Sequence, residues 1–338
     1  MSKTIRVGLV GTGKFAGHHA AAWRSLGSVE LVGVHGSNSV RTESFATEQA
    51  CTPFSDVATL AAACDIIDVA SANDTHADYA LEAIARGCHV VVEKPLDTNL
   101  EKARALCVAA RDQGIVASVI SNYRFNPCFV EMKRTLDQGM LGDIIGGQVS
   151  VVCQRTDKYY AKNGGWRGDW VRAGGGVLIH QCIHHIDLLH WFFGPVIEAE
   201  GYLSDWTGGV EGRGVERTFT GWMAFENVGP VGLFMTTKGE SSAMERFEIF
   251  GTRSTGVANG RSFCASAREP VRHLAEIMSG FIGRRRKPEN AAAQLQRQFR
   301  EIVAVVLGRE GKLSATIDDG LRAIETVSRL YGRDRKIG

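Results

Sequence analysis

Two histidines and an aspartate follow three consecutive glycines in the second half of the chain. In the segment GGGVLIHQCIHHID, residues 174–187, His180, His184 and Asp187 stand at i, i+4 and i+7, so an α-helix would place them on one face. The glycines predict a sharp turn or a close approach of the backbone to another group. Because such a polar face is unfavourable to bury without a partner or a task, we predict that it faces a substrate and that His184 transfers a proton. The alternative is a satisfied, partly buried histidine cluster that does no chemistry.

The spacing of His180 and His184 is also one that zinc sites use. Gln181 stands where the glutamate of an HExxH motif would be, so a metal centre is the weaker interpretation and we expect none. The eight cysteines form no CxxC pair. Their spacing predicts neither a zinc site nor a disulfide framework, and it favours a cytoplasmic protein.

A glycine-rich turn follows the first predicted strand. Residues 5–10 form a β-branched run that leads directly into GTGKFA, after which a helical pattern begins. Gly11 allows the tight turn, Gly13 leaves space for a pyrophosphate, and Ala16 permits close packing of the helix. The amino end of that helix would offer N–H groups to the phosphates. The predicted dinucleotide contacts in this turn are Gly11, Thr12, Gly13, Lys14, Phe15 and Ala16.

The end of the second predicted strand bears on the choice of nicotinamide. An acidic residue there would bond the ribose hydroxyls and repel a 2′-phosphate, but the chain reads His-Gly-Ser-Asn over 35–38 with no acid. Ser37, Asn38 and Arg41 could hold a phosphate instead, so we favour NADP(H) over NAD(H). The alternative for Arg41 is a plain charge on a helix surface.

The alternation of predicted elements indicates two domains. Over the first 120 residues β-strands and helices alternate, which is typical of a doubly wound parallel sheet. From residue 144 onward long strand-like runs separated by glycine and asparagine predict a mostly antiparallel sheet, followed by two closing helices. The predicted fold is therefore α/β, with a Rossmann domain over 1–123 and an α+β domain over 124–338.

Composition excludes some classes of partner. The 338 residues carry a net charge of +2, so neither nucleic acid nor an anionic membrane surface is implied. No apolar run approaches the roughly 20 residues of a membrane span, and the amino-terminal run lacks a signal-peptide pattern. We therefore expect a small-molecule ligand.

Four motifs occur in order along the chain: GTGKFA, EKP at 93–95, NYRFNP at 122–127, and GGGVLIHQCIHHID. Together they resemble the glucose–fructose oxidoreductase/inositol dehydrogenase (Gfo/Idh/MocA) family over essentially the whole chain. The resemblance implies hydride transfer between a nicotinamide and a secondary carbinol or ketone of a sugar, polyol or sugar derivative. It also implies that the open sheet of the second domain serves as an oligomer interface, in a homodimer or homotetramer.

The resemblance also implies roles for individual residues. Lys94 matches the lysine of the EKP motif, His184 matches the family's histidine, and Asp187 matches the acid that follows it. Lys94 would stabilise the substrate oxygen while His184 takes its proton. Trp166 and Arg167 resemble a pair that packs near the nicotinamide in some members. Weaker candidates for holding other substrate hydroxyls are Tyr123, Arg124, Trp170 and His180. The further residues expected to line the cofactor cleft are Ser71, Ala72, Asn73, His76, Glu93 and Lys94.

One position departs from the family pattern. His180 stands where the family usually has an aspartate, so a negative charge is missing beside the lysine and the histidine. Either His180 is a neutral hydrogen-bond partner that selects a different substrate, or the activity is weaker or directed toward reduction. Two other functions remain open on the same fold: an NAD-dependent glycoside hydrolase, and a non-catalytic sensor of sugar or nucleotide.

Overall fold

The computed structural model describes residues 4–162, 164–207, 214–240, 244–267, 291–309 and 311–332. Of these, 4–122 and 291–321 form one compact unit, and 123–267 with 322–332 form a second. The predicted division at 123/124 lies one residue from the observed boundary, and it differs in one segment, because residues 291–321 return to the first unit.

The first unit is a six-stranded parallel sheet with helices between its strands. The strand order is β3-β2-β1-β4-β5-β6, which is the doubly wound order of dinucleotide-binding folds. The strand β3 and helix α3 were not predicted, because runs of three and six residues are too short to show a clear period. The elements are β1 (Ile5–Val10), α1 (Lys14–Arg24), β2 (Val29–His35), α2 (Ser39–Glu48), β3 (Thr52–Phe54), α3 (Val57–Ala62), β4 (Ile66–Val69), α4 (His76–Ile84), β5 (His89–Val92), α5 (Leu100–Asp112) and β6 (Ala117–Val119).

The second unit is built on a seven-stranded sheet of order β13-β12-β11-β7-β10-β9-β8. Every neighbouring pair is antiparallel except β7 and β10, which run parallel. The elements are α6 (Pro127–Asp137), β7 (Ile144–Val152), α7 (Asp157–Ala161), α8 (Trp170–Ala173), α9 (Ile183–Phe193), β8 (Val196–Trp206), β9 (Glu216–Phe225), β10 (Val228–Thr236), β11 (Met244–Gly251), β12 (Ser254–Ala258) and β13 (Phe263–Ala267).

Two helices close the described chain. Helix α10 (Ala291–Val306) belongs to the first unit, and α11 (Ile317–Tyr331) begins in the first unit and ends in the second. The ring of Phe299 on α10 stacks on Trp23 of α1, with ring centres 3.8 Å apart, and both side chains are fully buried. This aromatic contact explains why α10 joins the first unit although the sequence pattern assigned it to the second. Within the described ranges, no helix combines the length and apolarity needed to cross a membrane.

A buried charged network ties α1 to the sheet. Nδ1 of His19 lies 2.8 Å from a carboxylate oxygen of Asp68 on β4, and Nε2 lies 3.1 Å from Glu93, just after β5. Trp23 donates its indole N–H to the same Asp68 carboxylate at 2.6 Å. Burial alone lowers the pKa of His19, but the two carboxylates outweigh it and raise the pKa from 6.5 to about 10.

This network makes the stability of the protein depend on pH. Because the folded protein holds the His19 proton more tightly than the unfolded chain, the stabilisation is fully present below pH 6.5 and is lost as pH rises toward about 10. We expect the free energy of unfolding in urea to fall across this range, and the His19→Gln variant to fall less steeply. His18→Gln, an exposed neighbour on α1, is the matched control. Equal pH slopes in His19→Gln and the wild type would contradict the assignment.

Candidate functional site

The glycine turn after β1 brings the backbone close to the end of β4. Gly11 has φ +124°, and a Cβ atom on it would lie 2.4 Å from the carbonyl oxygen of Ala70. A Cβ on Gly13, the residue that precedes α1, would meet no described protein atom within 4 Å. Ala16 is fully buried against the sheet, whereas Lys14 and Phe15 are exposed. The turn therefore has the close approach and the open helix end that a pyrophosphate requires.

The end of β2 lies beside this turn, since His35 is in register with Val10 of β1. The side chain of Asn38 accepts a hydrogen bond from the backbone N–H of Arg41 at 2.9 Å and so caps α2. Ser37, Asn38 and the Arg41 side chain are all exposed. The cap occupies one acceptor of Asn38 and leaves the Ser37 hydroxyl and the Arg41 guanidinium at the surface.

The loops after β4 and β5 meet at the same edge of the sheet, because these strands pair in parallel. Nδ1 of His76 lies 2.7 Å from the carbonyl oxygen of Pro95, and Nε2 lies 3.3 Å from that of Ser71. His76 and Asn73 are buried, whereas Ser71 and Ala72 are half-buried. The buried His76 ring therefore links the two loops, and its role in the cleft is to position their backbone.

Lys94 is the second residue after β5, and its peptide bond to Pro95 is cis. Glu93 restrains the backbone of Lys94. One of its carboxylate oxygens accepts a hydrogen bond from the backbone N–H of Lys94 at 2.9 Å, and the other lies 3.1 Å from Nε2 of His19. The Glu93 carboxylate is thereby bound to protein groups, which makes it a positioning residue for Lys94.

In the second unit, the three glycines make the close approach that the sequence predicts. A Cβ on Gly175 would lie 2.1 Å from the Tyr331 hydroxyl oxygen, and one on Gly176 would lie 1.9 Å from the backbone oxygen of Glu216. The fully buried Glu216 carboxylate accepts hydrogen bonds from the N–H groups of Gly176 and Leu178 at 2.7 and 3.0 Å, and from the Tyr331 hydroxyl at 3.0 Å. Burial raises the pKa of Glu216 to about 7, against the lowering effect of these hydrogen bonds.

The prediction that His180, His184 and Asp187 share one α-helical face is wrong for His180, whereas His184 and Asp187 both lie on α9. Residues 177–182 form a π-helical segment, and α9 begins only at Ile183. Because a π turn bonds i to i+5, it removes the α-helical spacing on which that face depended. The His184 ring stacks on Tyr123, with ring centres 4.7 Å apart, while His180 lies beside Trp166 at 5.6 Å.

Asp187 has a different neighbour. Its carboxylate receives two hydrogen bonds from the Arg124 guanidinium, at 2.6 and 2.9 Å, and both side chains are at least 95% buried. A bidentate buried pair of this kind holds the segment before α6 against α9. Each of the two charges is bound to the other, and a contact of either residue with substrate hydroxyls stays a prediction.

Two residues that the sequence did not indicate support Tyr123. His185 Nε2 lies 2.6 Å from a carboxylate oxygen of Glu245, and the His185 ring packs edge-on against Tyr123 at 5.5 Å. Burial, and then the negative charge of Glu245, raise the pKa of the Tyr123 hydroxyl far above its ordinary value. Tyr123 is therefore a neutral surface for the His184 ring. Trp170 also departs from its predicted role in substrate binding, because it is buried against Tyr331 at 4.8 Å.

A further group of side chains includes His180, and we name it the two-arginine cluster. The Arg155 and Arg167 guanidinium carbons lie 5.3 and 5.4 Å from the Tyr159 ring centre. Arg167 also lies 4.4 Å from the ring of Trp166. Arg155 donates to the Gln181 side chain at 2.8 Å, and Gln181 donates to the Tyr159 hydroxyl at 3.1 Å. The cluster consists of Arg155, Tyr159, Trp166, Arg167, His180 and Gln181.

Sequence reasoning named Trp166, Arg167 and His180 but missed the other three members of this cluster. Arg155 follows β7, Tyr159 lies on α7 and Gln181 belongs to the π-helical segment, so no local sequence pattern connects the three residues. In the part of the chain that the structure describes, no group of three or more histidine, cysteine or acidic side chains is arranged to hold a metal ion.

Comparison with known proteins assigns both units to one family. Residues 5–121 match the oxidoreductase family described as having an NAD-binding Rossmann fold, and residues 129–256 match the GFO/IDH/MocA C-terminal domain. Together these matches cover more than two thirds of the chain.

Individual proteins share part of the sequence and nearly all of the fold. The chain is 31% identical to glucose-6-phosphate 3-dehydrogenase of Bacillus subtilis over 189 residues, which are 56% of this chain and 53% of that protein. It is 27% identical to 1,5-anhydro-D-fructose reductase of Ensifer adhaerens over 262 residues, 78% of this chain and 75% of that one. The match with the Bacillus protein thus spans about half of its length.

Among solved structures, the fold is similar to the WlbA dehydrogenase of Bordetella pertussis, determined with NADH and UDP-GlcNAcA. The TM-score is 0.85 at 23% identity, over 98% of this chain and 95% of that one. This likeness confirms the predicted fold of a Rossmann unit and a mostly antiparallel sheet. With both domain matches in order along the sequence, the chain belongs to the glucose–fructose oxidoreductase/inositol dehydrogenase (GFO/IDH/MocA) family.

Proposed function

We propose that the protein is an NAD(P)-dependent oxidoreductase that transfers a hydride between a nicotinamide and a secondary carbinol or ketone of a sugar, polyol or sugar derivative. The observation that carries the proposal is Lys94, which follows β5 at the ligand-binding edge of a doubly wound sheet and is held there through Glu93 and His19. The named relatives support the reaction class, since they are a sugar-phosphate dehydrogenase and an anhydrosugar reductase.

The first unit fits a dinucleotide. The strained turn at Gly11 and the open position at Gly13 leave room for a pyrophosphate at the amino end of α1, whose first turn carries no acidic residue. When bound, the nicotinamide supplies the hydride acceptor or donor. Residues of the protein orient the nicotinamide and transfer the proton.

In this proposal His184 and Lys94 act on the reacting oxygen. His184 takes the hydroxyl proton during oxidation and returns it during reduction, because imidazole titrates near neutral pH. Stacking on Tyr123 keeps its ring in one plane. Lys94 donates a hydrogen bond to the same oxygen and stabilises its developing negative charge.

The preferred nicotinamide in this proposal is NADP(H). The support is the exposed Ser37 hydroxyl and Arg41 guanidinium beside the glycine turn, with no acidic residue between His35 and Thr42. A guanidinium matches a phosphate in geometry and charge, and no carboxylate opposes it there.

We also propose a cytoplasmic homodimer or homotetramer that associates through the seven-stranded sheet. Large apolar side chains are exposed on the strands of this sheet, which is typical of an interface. Light scattering of the purified protein tests the proposal, and a monomer would contradict it. The apolar side chains that are more than one-third exposed include Ile145, Ile197, Tyr202, Phe234 and Phe250. The cysteine pattern supports the location, since no disulfide joins any of the eight thiols, all of which are described.

Removing either proposed catalytic group tests the reaction. We expect Lys94→Met and His184→Asn each to lower kcat by about 100- to 10,000-fold, because each removes transition-state stabilisation or proton transfer. NADH titration followed by fluorescence should show nearly unchanged cofactor affinity. The matched control is Lys102→Met, whose half-exposed lysine pairs with Asp78. Wild-type turnover in both catalytic variants would exclude the mechanism.

Titration with the two cofactors tests the choice of nicotinamide. We expect tighter binding of NADPH than of NADH, and an NADPH affinity about 10- to 100-fold lower in Arg41→Gln, because one charge-assisted contact to the 2′-phosphate is lost. NADH affinity should change little. Arg104→Gln, an exposed arginine paired with Glu101, is the control. Tighter NADH binding in the wild type would mean that the missing acid does not determine the preference.

A further inference from the structure

The two-arginine cluster carries positive charge that no described carboxylate neutralises. Arg155 donates one hydrogen bond to the backbone oxygen of Gln154 and one to the Gln181 side chain. A guanidinium has five N–H donors, so three on Arg155 have no acceptor among the described residues. Arg167 makes no hydrogen bond or ion pair with the described residues, and its guanidinium carbon lies over the rings of Tyr159 and Trp166. Both arginines are half-buried, so their charge is only partly screened by water.

The acidic side chains of neighbouring segments are engaged elsewhere. Asp169 accepts the backbone N–H of Val171 at 2.9 Å and caps α8. Three other carboxylates of this unit each pair with a different cation: Asp157 with Arg217, Asp187 with Arg124, and Glu245 with His185. The Glu216 carboxylate accepts hydrogen bonds from Gly176, Leu178 and Tyr331. The cluster therefore keeps its net positive charge.

The cluster is held as a closed ring of contacts. The rings of Tyr159 and Trp166 lie within 5.4 Å of the guanidinium carbons and restrict both side chains, and hydrogen bonds through Gln181 connect Arg155 to the π-helical segment that carries His180. An arginine stacked on an aromatic ring keeps its N–H edges free to bind a planar or tetrahedral anion in a bidentate manner. The arrangement is thus preorganised for an anion.

We propose that this cluster binds an anionic group of the substrate, a carboxylate or a phosphate carried by the sugar. The proposal rests on the proposed function and names the substrate class of that site. It also explains the departure at His180, because an aspartate beside Trp166 would repel the anion, whereas an imidazole does not. Arg155 and Arg167 are the residues that determine this specificity.

Binding to the protein saturated with NADH tests the proposal independently of turnover, because the cofactor occupies the other phosphate site. Isothermal titration would compare glucose, glucuronate and glucose 6-phosphate, with inorganic phosphate as a separate probe. We expect at least one anionic sugar to bind about 10- to 100-fold more tightly than glucose, as for a charge-assisted hydrogen bond. Tighter glucuronate binding would identify a carboxylate subsite, and tighter glucose 6-phosphate binding a phosphate subsite.

Three variants assign the effect to the cluster. Arg155→Gln and Arg167→Gln should each weaken the favoured anionic sugar by about 10- to 100-fold, and more than they weaken glucose. Arg155→Lys should retain part of the preference, because it keeps the charge. The control is Arg246→Gln, which removes a half-exposed arginine paired with Glu248 on β11. Equal affinity for glucose and both anionic sugars, or equal losses for neutral and anionic ligands in the variants, would overturn the proposal.

Failure of the two proposals can be told apart. Anion binding that depends on Arg155, without any sugar-dependent change in NAD(P)H absorbance, would leave the subsite intact and contradict the oxidoreductase. Turnover of neutral sugars without a preference for anions would support the oxidoreductase and contradict the subsite.

Discussion

The buried carboxylate of Glu216 determines how the second unit presents its histidines. The first N–H groups of a helical segment need acceptors, and here those of Gly176 and Leu178 donate to this side chain inside the protein. Burial raises the pKa of the carboxyl to about 7, so it is stable there only because N–H groups and the Tyr331 hydroxyl surround it. No side chain fits between these groups and the turn, which makes glycine necessary at 175 and 176. The positions of His180 and His184 follow from that contact.

Hydrogen-bonded charged pairs also support each candidate reacting group. Glu93 and His19 hold the backbone of Lys94, while Arg124 and Asp187 join α9 to the segment that carries Tyr123, the stacking partner of His184. Paired charges in these positions are unfavourable to break, because removal of one partner leaves the other buried without compensation. They therefore restrict the side chains in front of them to a few orientations. That restriction is the preorganisation that proton transfer and charge stabilisation require.

Local patterns in the sequence were sufficient for the framework and insufficient for the details of the site. The strand, glycine turn and helix at 5–24, and the glycines at 174–176, were predicted because each depends on neighbours in the chain. The packing of α10 in the first unit was not predicted, because it depends on a contact between Phe299 and Trp23, which are far apart in the sequence. The π-helical segment was missed because its hydrogen bonds span only one residue more than those of an α-helix, a difference that a short sequence pattern does not show. The pairing of Arg124 with Asp187 and the ring around Tyr159 likewise join residues that no period connects.

In the proposed site, proton transfer and the recognition of charge fall to different parts of the second unit. His184 lies on α9 and stacks on Tyr123 from the segment before α6, whereas the positive charge lies on Arg155, after β7, and on Arg167, before α8. Under this proposal, substitutions in the loops change the charge that a ligand must carry without moving His184. An acid at 180 would reduce the positive charge beside Trp166, whereas loss of the acid at 187 would leave Arg124 buried without its partner and disturb α9 itself. Position 180 thus belongs to the charged cluster, and position 187 belongs to the packing of α9.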